Sequence, residues 1–187
     1  MITLGIHDGH NATAALMVDG RIVACVSEER FSRLKNDSGY PLRAVEYCLG
    51  AAGISGSDLD RVCFATVAQD PFQMKYKLQA KMSIPDQLSE ERDYWRPLLY
   101  EGKGSKSDFL RKLVKQDKFQ NIEHFYDFNG VDFDPKRDVI KMRDIRLEGA
   151  RRHLGVHEEQ IAFYDHHRSH AAYAYYGSPL REVGTLA

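Results

Sequence analysis

The chain has 187 residues, 43% of them hydrophobic and 28% charged, enough to bury one core. Its 26 Lys and Arg against 27 Asp and Glu leave a formal charge of -1, which excludes a general electrostatic pull toward nucleic acid or an anionic membrane; any anion must be held by a local site. Three cysteines, Cys25, Cys48 and Cys63, lie in apolar surroundings without C-x-x-C spacing and read as reduced core residues of a cytoplasmic protein.

The first apolar run, residues 2–6, has no basic leader, and no later run approaches the ~20 apolar residues of a membrane span, so a soluble, non-exported protein is expected. A second run, 12–18, ends at Asp19-Gly20, the dipeptide favoured in type I′ hairpins, and 21–26 alternates as the return strand. Three strands joined by tight turns make a meander rather than a βαβ opening. After Pro41, apolar residues at 44, 45, 48, 49 and 52 repeat at helical spacing until Gly53, and 61–66 reads as the next strand.

Between about 70 and 130 apolar density falls and charge rises, which predicts an inserted helical region with helices at 87–99 and 106–117 and an exposed link at 102–105. The core pattern resumes near Met142 with a helix over 144–153 capped by Gly155. A buried strand at 161–164 then leads through Asp165 into a helix that ends near Gly177, followed by a further strand-like run at 183–186.

Three segments carry chemistry. In Gly5-Ile6-His7-Asp8-Gly9-His10-Asn11-Ala12-Thr13, small residues let a phosphate approach the backbone at Gly9 and Asn11, and Asp8 is placed to position a metal or water. His10 adds an imidazole, whose ordinary pKa of about 6.5 suits proton abstraction. A plain hairpin turn with solvated His and Asp is the alternative. In Ser27-Glu28-Glu29-Arg30-Phe31-Ser32-Arg33-Leu34-Lys35, Arg33 and Lys35 are candidate anion contacts, although a charge run is more often a solvated face. In Asp165-His166-His167-Arg168-Ser169-His170, His166 and His170 stand i, i+4 on one helix face, a spacing that suits iron, zinc or a similar divalent metal once a carboxylate from elsewhere completes the shell, although helical histidines more often pack or face water. His167 points elsewhere, toward packing or substrate.

Together these stretches, with Asp19 to Ala24, Glu28 to Lys35, Tyr40-Pro41 and Tyr176 to Pro179, resemble the ATP-dependent O-carbamoyltransferases that modify nodulation factors and antibiotics. The resemblance covers about the first 65 and last 40 residues. It implies an α/β fold of the actin-like, sugar-kinase and Hsp70 type (ribonuclease H-like), a mixed sheet with flanking helices whose first hairpin turn is a phosphate loop. By the same resemblance, 1–187 is the amino-terminal part of a carbamoyl-transfer domain, with a carboxy-terminal domain that makes carbamoyl adenylate from carbamoyl phosphate and ATP. A small hydroxylated acceptor then receives the carbamoyl group. The resemblance further assigns His10 as general base or carbamoyl-orienting group, His166 and His170 as ligands of a metal, iron first, and Arg33 and Lys35 as anion contacts. The full-length protein is a candidate homodimer, with neither nucleic acid nor membrane as partner.

Two departures stand out. Asn11 occupies a position where the family usually has Asp. A second phosphate loop, expected after 183–186, and the second domain are absent, so the 187 residues alone are expected to be inactive. Two other readings share parts of this pattern: a transferase of threonylcarbamoyl groups to tRNA, and a non-catalytic binding module of the same fold.

Overall fold

The structure is a computed structural model that describes residues 1–179 apart from 68 and 133. The run at 183–186 therefore lies outside the described residues. Strands β1 (Ile2–His7), β2 (Thr13–Val18) and β3 (Arg21–Ser27) form the expected antiparallel meander. Asp19 and Gly20, at φ 48° and 79°, supply the two positive φ angles that a type I′ turn needs. β4 (Arg61–Phe64) then pairs parallel with β1, and β5 (Ile161–Phe163) parallel with β4, giving a mixed five-stranded sheet in the order β3-β2-β1-β4-β5.

Strand alternation decides which side of the sheet is closed. Leu4, Ile6, Ala14 and Leu16 are buried in the core, whereas Thr3, Gly5, His7, Thr13 and Ala15, on the other face, are partly open. After the short α1 (Glu29–Ser32), α2 (Leu42–Ala52) packs Ala44, Val45, Cys48 and Leu49 into the core and ends at Gly53 with φ 64°. The buried Glu28 carboxylate accepts the Ala44 N–H at 2.9 Å and the Arg43 N–H at 3.4 Å, so a residue of the charge run caps the α2 N-terminus. Burial pushes that carboxyl above its ordinary value, against the two amide bonds.

The insertion contains α3 (Pro71–Lys75), α4 (Leu78–Lys81), α5 (Ile84–Glu90), α6 (Arg96–Glu101) and α7 (Lys106–Leu113). It has its own apolar cluster, built on Phe72, Tyr94, Phe109, Leu110, Leu113 and Phe119. The helix expected at 87–99 is longer. It starts at a capping box, in which Ser83 N–H and Oγ donate to Asp86 at 2.7 and 2.6 Å, and it runs through a π-helical turn, Glu91–Trp95, into α6. Pro97 has no N–H for the carbonyl four residues back, and the ladder adapts: Arg96 N–H donates to Glu91, five residues back. The helix expected at 106–117 stops at Leu113, and a 3-10 turn, Asp117–Phe119, follows.

The helix expected at 144–153 is α8 (Pro135–Leu154), two turns longer at its start, where the Asp134 carboxylate accepts the Arg137 N–H at 3.2 Å. It is capped by Gly155 at φ 68° and buries Met142, Arg146, Ala150 and Leu154. The last helix, α9 (His166–Gly177), begins after Asp165, which accepts the Arg168 N–H at 2.9 Å. Among the cysteines, Cys48 is buried and Cys63 half-buried, but Cys25 is exposed, because it sits on edge strand β3 with a side chain turned from the core. Among the described residues no helix is long and apolar enough to cross a membrane.

The α8 C-terminus approaches the chain before β4 so closely that only glycine fits at position 56. A Cβ there would lie 2.3 Å from the Leu154 carbonyl oxygen. Gly56→Ala is expected to destabilise the fold by about 1–3 kcal/mol in urea denaturation, because backbone must shift to admit the methyl group. An unchanged midpoint would contradict this packing.

Candidate functional site

The turn after β1 divides its residues between two environments. Asp8 points inward and is fully buried. Its two carboxylate oxygens accept a bidentate pair of bonds from Arg146 of α8, from Nε at 2.7 Å and Nη2 at 2.9 Å, and Tyr126 Oη donates a third bond at 3.0 Å. Arg146 is equally buried. Burial works against its charge, yet Asp8 outweighs that effect and keeps the guanidinium more strongly protonated than usual. Burial also drives the Tyr126 phenol well above its ordinary value, with the Asp8 charge adding to the rise. The Asp8 backbone carbonyl accepts the Gly39 N–H at 2.8 Å, which fastens the turn to the segment before α2.

His7, Gly9 and His10 lie on the opposite side. The His7 ring stacks on His166 of α9, with centroids 5.1 Å apart and planes at 28°, and its Nε2 lies 3.1 Å from the His10 carbonyl oxygen. Burial lowers the His7 pKa, against the pull of Asp8, and its Nδ1 is buried without a hydrogen bond to the described residues. Gly9 lies close under two side chains: a Cβ there would lie 2.8 Å from His7 Cε1 and 3.0 Å from Gln69 Oε1, so a larger residue would displace their tips. The exposed Asn11 adopts φ 59°, a left-handed conformation that Asn and Asp enter more easily than other side chains. Its carbonyl accepts the Thr13 hydroxyl at 2.7 Å.

On α9, His166 and His170 face each other as their spacing predicts, with the two Nε2 atoms 3.0 Å apart. Two nitrogens bound to one cation at ~2.0–2.1 Å each, at an angle near 90°, are separated by about that distance. His166 Nδ1 lies 3.2 Å from the Ala65 carbonyl oxygen, just after β4. Donation there puts the proton on Nδ1 and leaves Nε2 with its lone pair, the outer-shell arrangement usual for a metal-binding histidine. The donor set therefore fits a divalent transition metal. Among the described residues no group of three or more His, Cys, Asp or Glu is arranged to hold one, so these two imidazoles are a partial shell.

His7, His10, His166 and His167 line one cleft of about 580 Å³. The rest of its wall includes Thr66, Asp70, Asp165 and three glutamines, Gln69, Gln73 and Gln79. Asp70 and Asp165 are turned to capping, each accepting a helix N–H at 2.9 Å. The structure thus brings His10 and His166 to one cleft, with His170 joined to it through His166. It places Asp8 beneath them, enclosed by Arg146 and Tyr126. It does not bring in Arg33 or Lys35: Arg33 is an exposed cap at φ 59° after α1, and Lys35 Nζ donates to Glu29 at 2.9 Å. The sequence reading left His7, Arg146 and the glutamines outside the site. One signal for Arg146 was available, since it continues the 142, 146, 150, 154 stripe that α8 buries.

The family described as the carbamoyltransferase N-terminus matches residues 2–187. An uncharacterized protein of Synechocystis sp. is 28% identical over 180 residues, which is 95% of this chain and 23% of that protein. Nodulation protein NolNO of Sinorhizobium fredii is 41% identical over 81 residues, 41% of this chain and 12% of that protein. An uncharacterized 19.2 kDa protein of Rhizobium etli is 44% identical over 55 residues, 29% of this chain and 32% of that protein. The chain thus spans a third or less of the length of these relatives.

Removing one partner of the buried Asp8 pair strands the other charge. Arg146→Met should cost about 3–5 kcal/mol in urea denaturation, and the double variant Asp8→Leu/Arg146→Met should cost less than the sum of the two single changes. Additive losses would mean that the two side chains do not act as a pair.

Proposed function

The chain belongs to the carbamoyltransferase N-terminus family across residues 2–187, and from that premise we propose that it is the amino-terminal part of the carbamoyl-transfer domain of an ATP-dependent O-carbamoyltransferase. The donor is carbamoyl adenylate, made from carbamoyl phosphate and ATP by a carboxy-terminal domain, and the acceptor is a hydroxyl of a small molecule. The Sinorhizobium relative is named a nodulation protein, which agrees with a small-molecule acceptor such as a nodulation factor. The strand order β3-β2-β1-β4-β5, with an antiparallel meander followed by parallel β4 and β5, supports an actin-like, ribonuclease H-like domain with a helical insertion. The proposed setting is the cytoplasm.

One observation carries the reading: His10 opens onto the same cleft as His166, whose Nε2 converges with that of His170. His166 and His170 hold a divalent metal, iron in this proposal. When bound, it supplies positive charge to polarise the carbamoyl carbonyl or to hold phosphate oxygens. The residues of the chain do the rest. His10 takes the proton of the acceptor hydroxyl as that oxygen bonds to the carbamoyl carbon. The bond from that carbon to the adenylate phosphate oxygen breaks, and AMP leaves. The His7 ring supports His10 through Nε2, which meets the His10 backbone carbonyl, and packs His166 in place. Gly9 leaves room above the turn for the His7 and Gln69 side chains. Asp8 holds the turn from below and is a positioning residue.

In the full-length enzyme, His10→Ala should lower carbamoyl transfer about 100-fold or more while carbamoyl adenylate formation stays measurable. Equal loss of both steps would contradict the role given to His10. Elemental analysis of purified protein should show metal depleted in His166→Ala and in His170→Ala. Unchanged metal content in both variants would remove these residues from the shell.

A further inference from the structure

The three glutamines in the wall of the histidine cleft, Gln69, Gln73 and Gln79, have side-chain amides with no hydrogen-bond partner among the described residues. Most other polar groups of that wall are engaged within the fold: Asp70 and Asp165 cap helices, and His7 Nε2 and His166 Nδ1 each meet a backbone carbonyl. An unpaired primary amide at the wall of a cleft offers a ligand both a donor and an acceptor. Of the three, Gln69 is the one placed at the opening turn. A Cβ on Gly9 would lie 3.0 Å from its Oε1 and 2.9 Å from His7 Nε2, so the amide stands over the residue next to His10.

The backbone that carries Gln69 is held on both sides. Before it, Ala65 N–H donates to the Ile6 carbonyl at 2.8 Å, and the Val67 carbonyl accepts from Arg146 Nη1 at 3.5 Å. After it, Asp70 accepts the Phe72 N–H at 2.9 Å and starts α3. A free amide on a fastened segment is aimed before any ligand arrives, which lowers the ordering cost of binding.

We propose that Gln69 recognises the carbamoyl group of the donor by pairing its side-chain amide with the carbamoyl amide. The inference rests on the carbamoyl-transfer reading of this cleft. A carbamoyl group carries its C=O and NH2 side by side, as glutamine does, and two such groups meet edge to edge through two N–H···O bonds, each giving one and accepting one. The pairing uses one lone pair of the carbamoyl oxygen and leaves the second for a cation on His166 and His170. It also lies in the plane of the carbamoyl group, so the face of the carbon stays open to an acceptor hydroxyl beside His10. An acetyl group has nearly the same shape but a methyl in place of the NH2, so it leaves the glutamine oxygen without a donor. Gln69 is half-buried, and water replaces part of that loss, so the discrimination expected is about 10- to 100-fold rather than the larger ratios of sealed sites.

The test needs no acceptor other than water. The full-length enzyme is given carbamoyl adenylate or acetyl adenylate, and AMP release is followed above the spontaneous rate: water adds to the carbonyl carbon, the bond to the phosphate oxygen breaks, and carbamate or acetate leaves with AMP. The unmodified enzyme should favour carbamoyl adenylate in kcat/KM by about tenfold or more. Gln69→Met keeps the length of the side chain and removes the amide. It should lower kcat/KM for carbamoyl adenylate about 10- to 100-fold and leave that for acetyl adenylate within about twofold, so the preference collapses. Equal loss on both donors, which a merely structural role or a misfolded variant would give, would overturn the proposal, and so would a preference that survives the substitution. No acceleration of either adenylate by the unmodified enzyme would overturn the transfer reading of the cleft itself, and the proposal with it.

Discussion

The buried ion pair between Asp8 and Arg146 is the constraint on which the site depends. Two charges without access to water are tolerable only when each satisfies the other, and here the geometry is bidentate with Tyr126 supplying a third bond. The pair joins elements that are far apart in sequence: the end of β1, the middle of α8 and the segment that leads out of the insertion. A turn anchored this way from below has little freedom above. The packing of Gly9 against His7 and Gln69, and of His7 against His166, then fixes where His10 leaves the backbone.

The cleft has a distinctive chemistry. Its described wall contains four imidazoles and three primary amides, and neither Lys nor Arg. Both carboxylates in the wall are engaged in capping helices. In the proposed chemistry, a cation on His166 and His170 would supply the positive charge that this described wall lacks. This is why the lone pairs on the two facing Nε2 atoms matter more to the proposed chemistry than the basic run after β3. That run instead serves the fold, as Glu28 caps α2 and Glu29 holds Lys35.

Much of the fold was legible because local chemistry and tertiary packing agree. Asp19-Gly20 dictates the hairpin, and Gly53 and Gly155 stop their helices where positive φ is needed. The mixed α/β class and the family followed from such signals together with the opening and closing motifs. Boundaries failed where local signals and the structure diverge. The helix expected at 87–99 contains Pro97, which a π turn absorbs, but it starts earlier, at the Ser83 capping box. The first turns of α8 carry few apolar residues, and Asp134 starts them by capping alone. In the site, the i, i+4 spacing of His166 and His170 announced their convergence. The sequence points to Asp8 as a catalytic group that positions a metal or water, because it does not reveal which carboxylate has a buried guanidinium 138 positions away. Arg33 and Lys35 lie outside the cleft, on the exposed surface, because charge alone does not tell a site from a solvated face.

The central claim is that the opening turn and the α9 histidine pair act as one metal-binding cleft. Titration of the protein with Mn²⁺, followed through the histidine side-chain resonances by NMR, tests it most directly. The account predicts that at substoichiometric metal the signals of His166 and His170 vanish first, those of His7 and His10 broaden next, and those of His124 and His153 persist longest. Loss of His124 or His153 before His166 and His170, or uniform broadening of all histidines, would contradict it.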